Sequence, residues 1–186
     1  MSRLSTTARR AQLLSVGRMV FSSNPYERVV IDDLANAAGV SKGLLYHYFP
    51  DKRSFYVEVL RMVALDVLQV SEMTSEGSAA EAIGGAVDRF LTYVQENQAF
   101  YKALVRGSSG VDDGLEIVVE SVRWTTVERV IERAGLQATP RLEALLYGWV
   151  GLIEFTVMNW LVRDDMDQAT LKELILGALF QLLGLQ

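Results

Sequence analysis

The 186-residue chain contains no cysteine, a single histidine and only three prolines. Without cysteine there is no disulfide framework, no thiolate metal site and no thiol nucleophile. One histidine, His47, excludes a His-rich metal centre, and no carboxylates recur at metal-ligand spacing. No cofactor, no metal and no catalytic residue are therefore expected, and a helical enzyme is the weakest of the functional readings. No basic segment leading into an apolar run opens the sequence, so the expected location is the cytoplasm. Sustained period-2 alternation is missing as well, which argues against a sheet.

What is present is helical periodicity. Half of the residues are hydrophobic, and they recur at three- and four-residue steps throughout. The pattern predicts an all-α chain of about nine helices. The first runs from near Ser5 to Ser23, with Leu13, Val16, Val20 and Phe21 on one face, and Asn24-Pro25 breaks it. Two short helices follow, near 31–38 and 42–48. Pro50-Asp51 opens a long fourth helix that dissolves at Thr74-Ser75-Glu76-Gly77. Ser78-Ala-Ala-Glu81 fits a capping box and starts a fifth helix running to about Glu96. A sixth covers about 98–106 and is stopped by Gly107-Ser-Ser-Gly110. A seventh covers about Asp112 to Ala134, with Gly135 as its stop. Thr139-Pro140, an N-cap followed by proline at the first helical position, opens an eighth reaching Arg163. Thr170-Leu-Lys-Glu173 is a second capping-box match near the start of the ninth.

Charge is divided unevenly along this series. The net charge is −5, yet residues 1–61 carry nine basic and five acidic side chains, or +4, while the remainder carries −9. A basic head on an acidic body is the footprint of phosphate contact at one end.

The last two helices are apolar on nearly all sides. Leu145 to Val162 is long enough to cross a bilayer, but Glu154 and Asn159 interrupt it and Arg163-Asp164-Asp165 end it, so no membrane partner is expected. A helix without a polar face needs a second surface to cover. Self-association into a four-helix interface is the simplest solution, through Gly148, Leu152, Phe155, Leu171, Ile175, Ala178 and Leu182, with Ala144, Gly148 and Gly151 permitting close approach. A buried central hairpin in a monomer is the alternative.

The segment Ile31 to Tyr56 carries the strongest functional signal. Gly39 falls where the chain turns sharply between two short helices, a position suited to positive φ. Ser41 can N-cap the second of them. Leu45 and Phe49, four apart, face the core with Leu34 and Ala38, which turns Lys42, Gly43, Tyr46 and His47 outward. This is the pattern of a helix-turn-helix that reads the major groove of double-stranded DNA. Lys42 can reach a guanine edge or phosphate, Leu44 a thymine methyl, and Gly43 allows close backbone approach. Tyr48 and Lys52 are placed to anchor the DNA backbone. Read as structure alone, Tyr46, Tyr48 and Phe49 can instead pack beneath the fourth helix.

Leu13-Leu-Ser-Val-Gly-Arg-Met-Val-Phe21, Asp32-Asp-Leu-Ala35, Gly39-Val-Ser-Lys-Gly-Leu-Leu-Tyr-His-Tyr-Phe49 and Lys52 resemble, in order and spacing, the DNA-binding signature of the TetR family of bacterial transcriptional regulators. The resemblance implies an N-terminal DNA-binding domain over 1–50 and a C-terminal ligand-binding and dimerisation domain over 51–186, with a helix over 51–75 linking them. It assigns operator contact to Ser41, Lys42, Gly43, Leu44, Tyr46, His47, Tyr48 and Lys52. Four positions depart from the family pattern. Val29-Val30 stand where Thr-Thr is usual, removing a hydroxyl cap that Asp32 would have to replace. Pro25 occupies a common Gly position, and Gly17 a common Ala position.

The resemblance further implies a dimer on a palindromic operator, most simply a repressor, released when a small-molecule effector enters the C-terminal helices. Phe90, Tyr93, Phe100, Tyr101, Trp124, Tyr147, Glu154 and Met158 are the candidate effector contacts. Glu154, a carboxylate amid apolar surface, needs a partner: either a cationic or hydroxylated ligand, or an internal Arg, Trp N–H or backbone group. A protein of the same fold controlled by a protein partner, or acting architecturally with no inducer, remains the alternative.

Overall fold

The computed structural model describes residues 5–107 and 113–184. Among these are nine α-helices and no strand: α1 (Thr6–Ser23), α2 (Ile31–Ala37), α3 (Lys42–Tyr48), α4 (Lys52–Val70), α5 (Ala79–Glu96), α6 (Gln98–Gly107), α7 (Asp113–Arg133), α8 (Pro140–Arg163) and α9 (Gln168–Leu183). A single 3₁₀ turn, Tyr26–Arg28, follows Pro25 and was not legible in the periodicity. The expected stop at Ser108-Ser-Gly110 and the expected start of α7 at Asp112 lie outside the described residues.

The chain divides into two compact units, Met1–Val63 and Ala64–Gln186. The division falls inside α4, whereas the sequence reading places a boundary ahead of that helix, after residue 50. The first unit packs α1 on α2 and α2 on α3. Its centre is Leu13, Leu34, Leu45, Phe49, Phe55 and Val59, all buried, and the Phe49 and Phe55 rings lie 4.5 Å apart. Gly17 belongs to this packing. A Cβ built there would come within 2.5 Å of Phe55 Cζ, so the ring fills the space that an alanine methyl would take.

In the second unit α8 is central. It packs on α6, α7 and α9, and α5 packs on α6, α7 and α9. The helix ends are locally encoded. Ser5, Ser41 and Thr139 accept the N–H groups of Ala8, Leu44 and Leu142, each cap stabilising its helix by about 1 kcal/mol. At α5 the capping box forms in full, with Glu81 Oε2 accepting from Ser78 N–H at 2.8 Å and Ser78 Oγ accepting from Glu81 N–H. The second capping-box match, at Thr170, does not set the start of α9: Asp167 does, accepting the Thr170 N–H at 2.8 Å, so Thr170 is already inside the helix. Arg133, in the last turn of α7, donates to the carbonyls of Thr74, Glu76, Gly77 and Ser78, and so clamps the loop between α4 and α5.

The apolar surfaces of α8 and α9 separate once folded. Leu171 and Ile175 are buried within their own unit, and the Trp149 indole donates to the Ile175 carbonyl at 2.9 Å. These two residues are therefore core, a correction to their expected place in an interface. The outward apolar residues are Phe155, 77% exposed, with Val162, Leu174 and Leu182. Gly148 is exposed too, and Leu152 and Ala178 are half-buried. By length and composition α8 could cross a membrane, but its central Glu154 is taken up by an ion pair with α7, as a helix within a protein core requires.

Candidate nucleic-acid interface and cavity

The helix-turn-helix is held by backbone chemistry. Gly39 adopts φ +63, and Val40 N–H donates to the Ala35 carbonyl at 3.0 Å, closing the turn. The N-cap of α2 is Val30, whose side chain has no oxygen to offer. The missing hydroxyl is half compensated by Asp33, which accepts the Val30 N–H at 3.3 Å. Asp32, the residue expected to cap, turns instead to Lys42 and sits 2.9 Å from its ammonium. That partner holds the Lys42 pKa above its ordinary value, through the hydrogen bond first and its charge second.

Around α3 the expected partition is observed. Leu45 and Phe49 are buried. Ser41, Lys42, Gly43, Tyr46 and His47 are exposed, and Leu44 and Tyr48 are half-buried. His47 and Tyr48 meet edge to face at 5.3 Å. A Cβ at Gly43 would meet nothing within 4 Å, so none of the described residues demands glycine there.

Lys52, expected at the DNA backbone, is half-buried. Its ammonium donates to the Tyr26 carbonyl at 2.9 Å and the Val29 carbonyl at 3.0 Å, and lies 4.2 Å from the centre of the Tyr26 ring. It pins the 3₁₀ segment that leads into α2. The charge is therefore engaged by groups of its own unit. The Arg10 guanidinium covers the Phe49 ring at 5.3 Å and pairs with Glu58.

The second unit contains a cavity of about 90 Å³. Its wall is mostly aliphatic and draws on α4, α5, α6, α7 and α8. Of the candidate effector contacts, Phe90, Tyr101 and Glu154 line it; Tyr93, Phe100, Trp124, Tyr147 and Met158 do not. The outsiders have other work. Tyr93 Oη donates to Asp66 at 3.2 Å, and Phe100 is core. Tyr147 Oη donates to Glu120 at 2.8 Å, and Trp124 leans on the Tyr147 ring at 5.1 Å. Met158 is half-buried on α8. Glu154 accepts two hydrogen bonds from Arg123, 2.8 Å from Nε and 3.0 Å from Nη2, which fulfils the internal pairing that its setting requires. Arg123, Thr126, Arg129 and Ser71 on the same wall were not singled out in the sequence. Arg123 and Glu154 lie 31 residues apart, and no local pattern marks such a pair.

Comparison with known proteins agrees with this geometry. Residues 13–59 match the family model described as bacterial regulatory proteins, tetR family, and residues 79–182 match the Tetracyclin repressor-like C-terminal domain. Among curated relatives, the HTH-type transcriptional activator FasR of Mycolicibacterium smegmatis is 25% identical over 179 residues, covering 90% of this chain and 80% of the relative. The HTH-type transcriptional repressor KstR2 of Rhodococcus jostii is 25% identical over 164 residues, covering 87% and 71%. A crystal structure of a tetR-family transcriptional regulator from Streptomyces coelicolor superposes with a TM-score of 0.88 at 28% identity, covering 97% of this chain and 82% of the other. The chain belongs to the TetR family of bacterial regulatory proteins and is a DNA-binding transcriptional regulator.

Proposed function

We propose that this regulator is a cytoplasmic repressor that binds a palindromic operator as a homodimer and is released by a small-molecule effector. The observation that carries the reading is the outward face of α3. Lys42, Tyr46 and His47 are exposed there around a glycine that no packing among the described residues requires. A recognition helix needs such a face, because hydrogen-bonding side chains must meet base edges while the backbone comes close to phosphate. Two copies are needed to place two such helices about 34–36 Å apart, one turn of DNA. The exposed Phe155, Val162, Leu174 and Leu182 on α8 and α9 supply an apolar surface for that pairing. The cavity supports the effector part of the reading. Its wall includes Ala64 and Val67 of α4, the helix that begins at Lys52, directly after the recognition segment. A ligand acts by differing in affinity between the DNA-competent and incompetent states.

A gel shift with DNA flanking the protein's own gene tests the reading. Tyr46→Ala and Lys42→Ala are each expected to weaken sequence-specific binding by about tenfold or more. Undiminished binding by both removes the assigned face. Sedimentation of Phe155→Glu with Leu174→Glu should give a monomer, and a persistent dimer would place the interface elsewhere. A complex that no small molecule dissociates would favour control by a protein partner.

A further inference from the structure

The cavity wall carries seven residues with polar side-chain atoms, and six are already engaged. Arg123 and Glu154 hold each other in the two-bond pair, and Arg123 also reaches Glu120 at 3.3 Å. Arg129 donates to the Leu68 carbonyl at 2.6 Å. Ser71 donates to the Val67 carbonyl and Thr126 to the Val122 carbonyl, and the Trp149 N–H is taken by Ile175. The seventh is Tyr101. It is 4% exposed, and its hydroxyl has no hydrogen-bond partner among the described residues. A buried hydroxyl left unpaired is costly, and native cores rarely tolerate one without a reason.

We infer that the cavity takes an uncharged, largely hydrocarbon molecule whose one hydroxyl or carbonyl oxygen accepts a hydrogen bond from Tyr101. The inference rests on the effector reading given above and names the chemistry of the effector. The mostly aliphatic wall selects hydrocarbon. The hydroxyl feels the charges of both Glu154 and Arg123, and that combination selects against ions. An anionic head group beside Tyr101 would face the Glu154 carboxylate or have to displace it from Arg123. A cationic head group would face Arg123 or have to displace it from Glu154. A neutral oxygen leaves the pair intact and supplies the one missing bond. Burial pushes the Tyr101 phenol well above its ordinary pKa, so it stays a donor at any physiological pH. Arg129 is the one wall cation with no carboxylate on it among the described residues, and it defines the competing outcome: an anion seated against it.

Three probes of equal chain length separate these cases: 1-octanol, octanoate and octylamine, titrated into the full-length protein near neutral pH. Binding is followed by calorimetry and by tryptophan fluorescence, to which Trp149 in the wall contributes. Octanol is expected to bind tightest, by about tenfold over either ion. Tyr101→Phe, which keeps the ring and its packing, should weaken octanol about fivefold, the loss of one ordinary hydrogen bond, and leave octanoate and octylamine unchanged. Octanol affinity should also be flat across neutral pH. Tighter binding of octanoate or octylamine, equal octanol affinity in Tyr101→Phe, or no binding by any of the three would overturn the inference. A gel shift with the flanking DNA in the presence of each probe keeps the two proposals apart. Octanol binding with no change in DNA affinity leaves the ligand class standing and removes effector release. DNA release by octanoate alone does the reverse.

Discussion

Asp32 on α2 and Lys42 at the start of α3 are joined by a 2.9 Å ion pair beside the face proposed to read DNA. Both side chains are more than half exposed, so the pair adds little to stability, and it occupies the cation proposed above for phosphate or a guanine edge. Asp32→Asn is expected to tighten DNA binding at low salt by about three- to tenfold, since it removes a competing negative charge. The melting temperature should hardly move. Lys42→Ala should weaken binding and lower the slope of log Kd against log salt by about one. Weaker binding by Asp32→Asn would mean that the carboxylate aims Lys42 at DNA and does not restrain it.

Lys52 separates into structure and contact by the same salt measurement. Its ammonium satisfies two backbone carbonyls, and hydrogen bonds to a charged group are worth more than neutral ones. Lys52→Met should cost about 2 kcal/mol in urea unfolding. Once corrected for the folded fraction, DNA affinity should fall equally at all salt concentrations. A salt slope reduced by one, with stability intact, would show a phosphate contact.

Gly17→Ala isolates the fit of Phe55. Alanine in a helix interior ordinarily gains about 1 kcal/mol over glycine. Here the new methyl would fall 2.5 Å from a buried ring, and overpacking of that kind costs about 1–3 kcal/mol. The net expectation is a loss of about 1 kcal/mol, reversed to a gain when Phe55→Leu is also present. A double-mutant cycle by chemical denaturation reads the coupling directly; additive effects would mean that the ring moves aside freely.

The unfilled bond at Tyr101 has a stability signature of its own. In ligand-free protein, Tyr101→Phe deletes a buried hydroxyl that has no partner among the described residues and should raise stability by about 1 kcal/mol. Destabilisation would show that the hydroxyl is satisfied in solution.

Acid should loosen three helix starts together. Backbone N–H groups of Ser54, Ser78 and Thr170 hold the Asp51, Glu81 and Asp167 carboxyls below their ordinary values of 3.8, 4.5 and 3.8. A folded pKa below the unfolded one means the stabilisation is fully present above about pH 4–5 and is lost as pH falls through the depressed values. The urea midpoint should therefore drop on acidification through this window. Asp167→Asn, which can still cap, should remove its share of that dependence while leaving neutral-pH stability nearly unchanged; an unaltered pH profile would show that Asp167 does not contribute.

Legibility in the sequence follows the range of the interaction. The caps at Ser5, Ser41, Ser78 and Thr139 lie within three residues of what they bond, so residue type and spacing announce them. The capping-box spacing of Thr170-Leu-Lys-Glu173 predicts a start of α9 near Thr170, while Asp167, three residues earlier, is the acceptor that forms the cap. The inner and outer faces of α9 were not legible at all. Apolar residues surround the helix, and periodicity carries no information when it has no polar face to contrast with. Only tertiary packing tells Leu171 and Ile175 from Leu174 and Leu182. The same limit hid the pairing of Glu154 with Arg123, the turn of Asp32 towards Lys42, and the inward use of Lys52. Each joins residues on different elements and needs the fold before it can be seen.

Arg133 gives the loop between α4 and α5 an unusual tolerance. Its guanidinium grips that loop through four main-chain carbonyls and through no side chain. Every amino acid brings the same carbonyl, so substitutions at Ser75 and Glu76 should leave this grip in place as long as Arg133 stays. That makes the loop a natural attachment point: a dye or tether placed at Ser75 would ride on a backbone whose path is fixed from another helix.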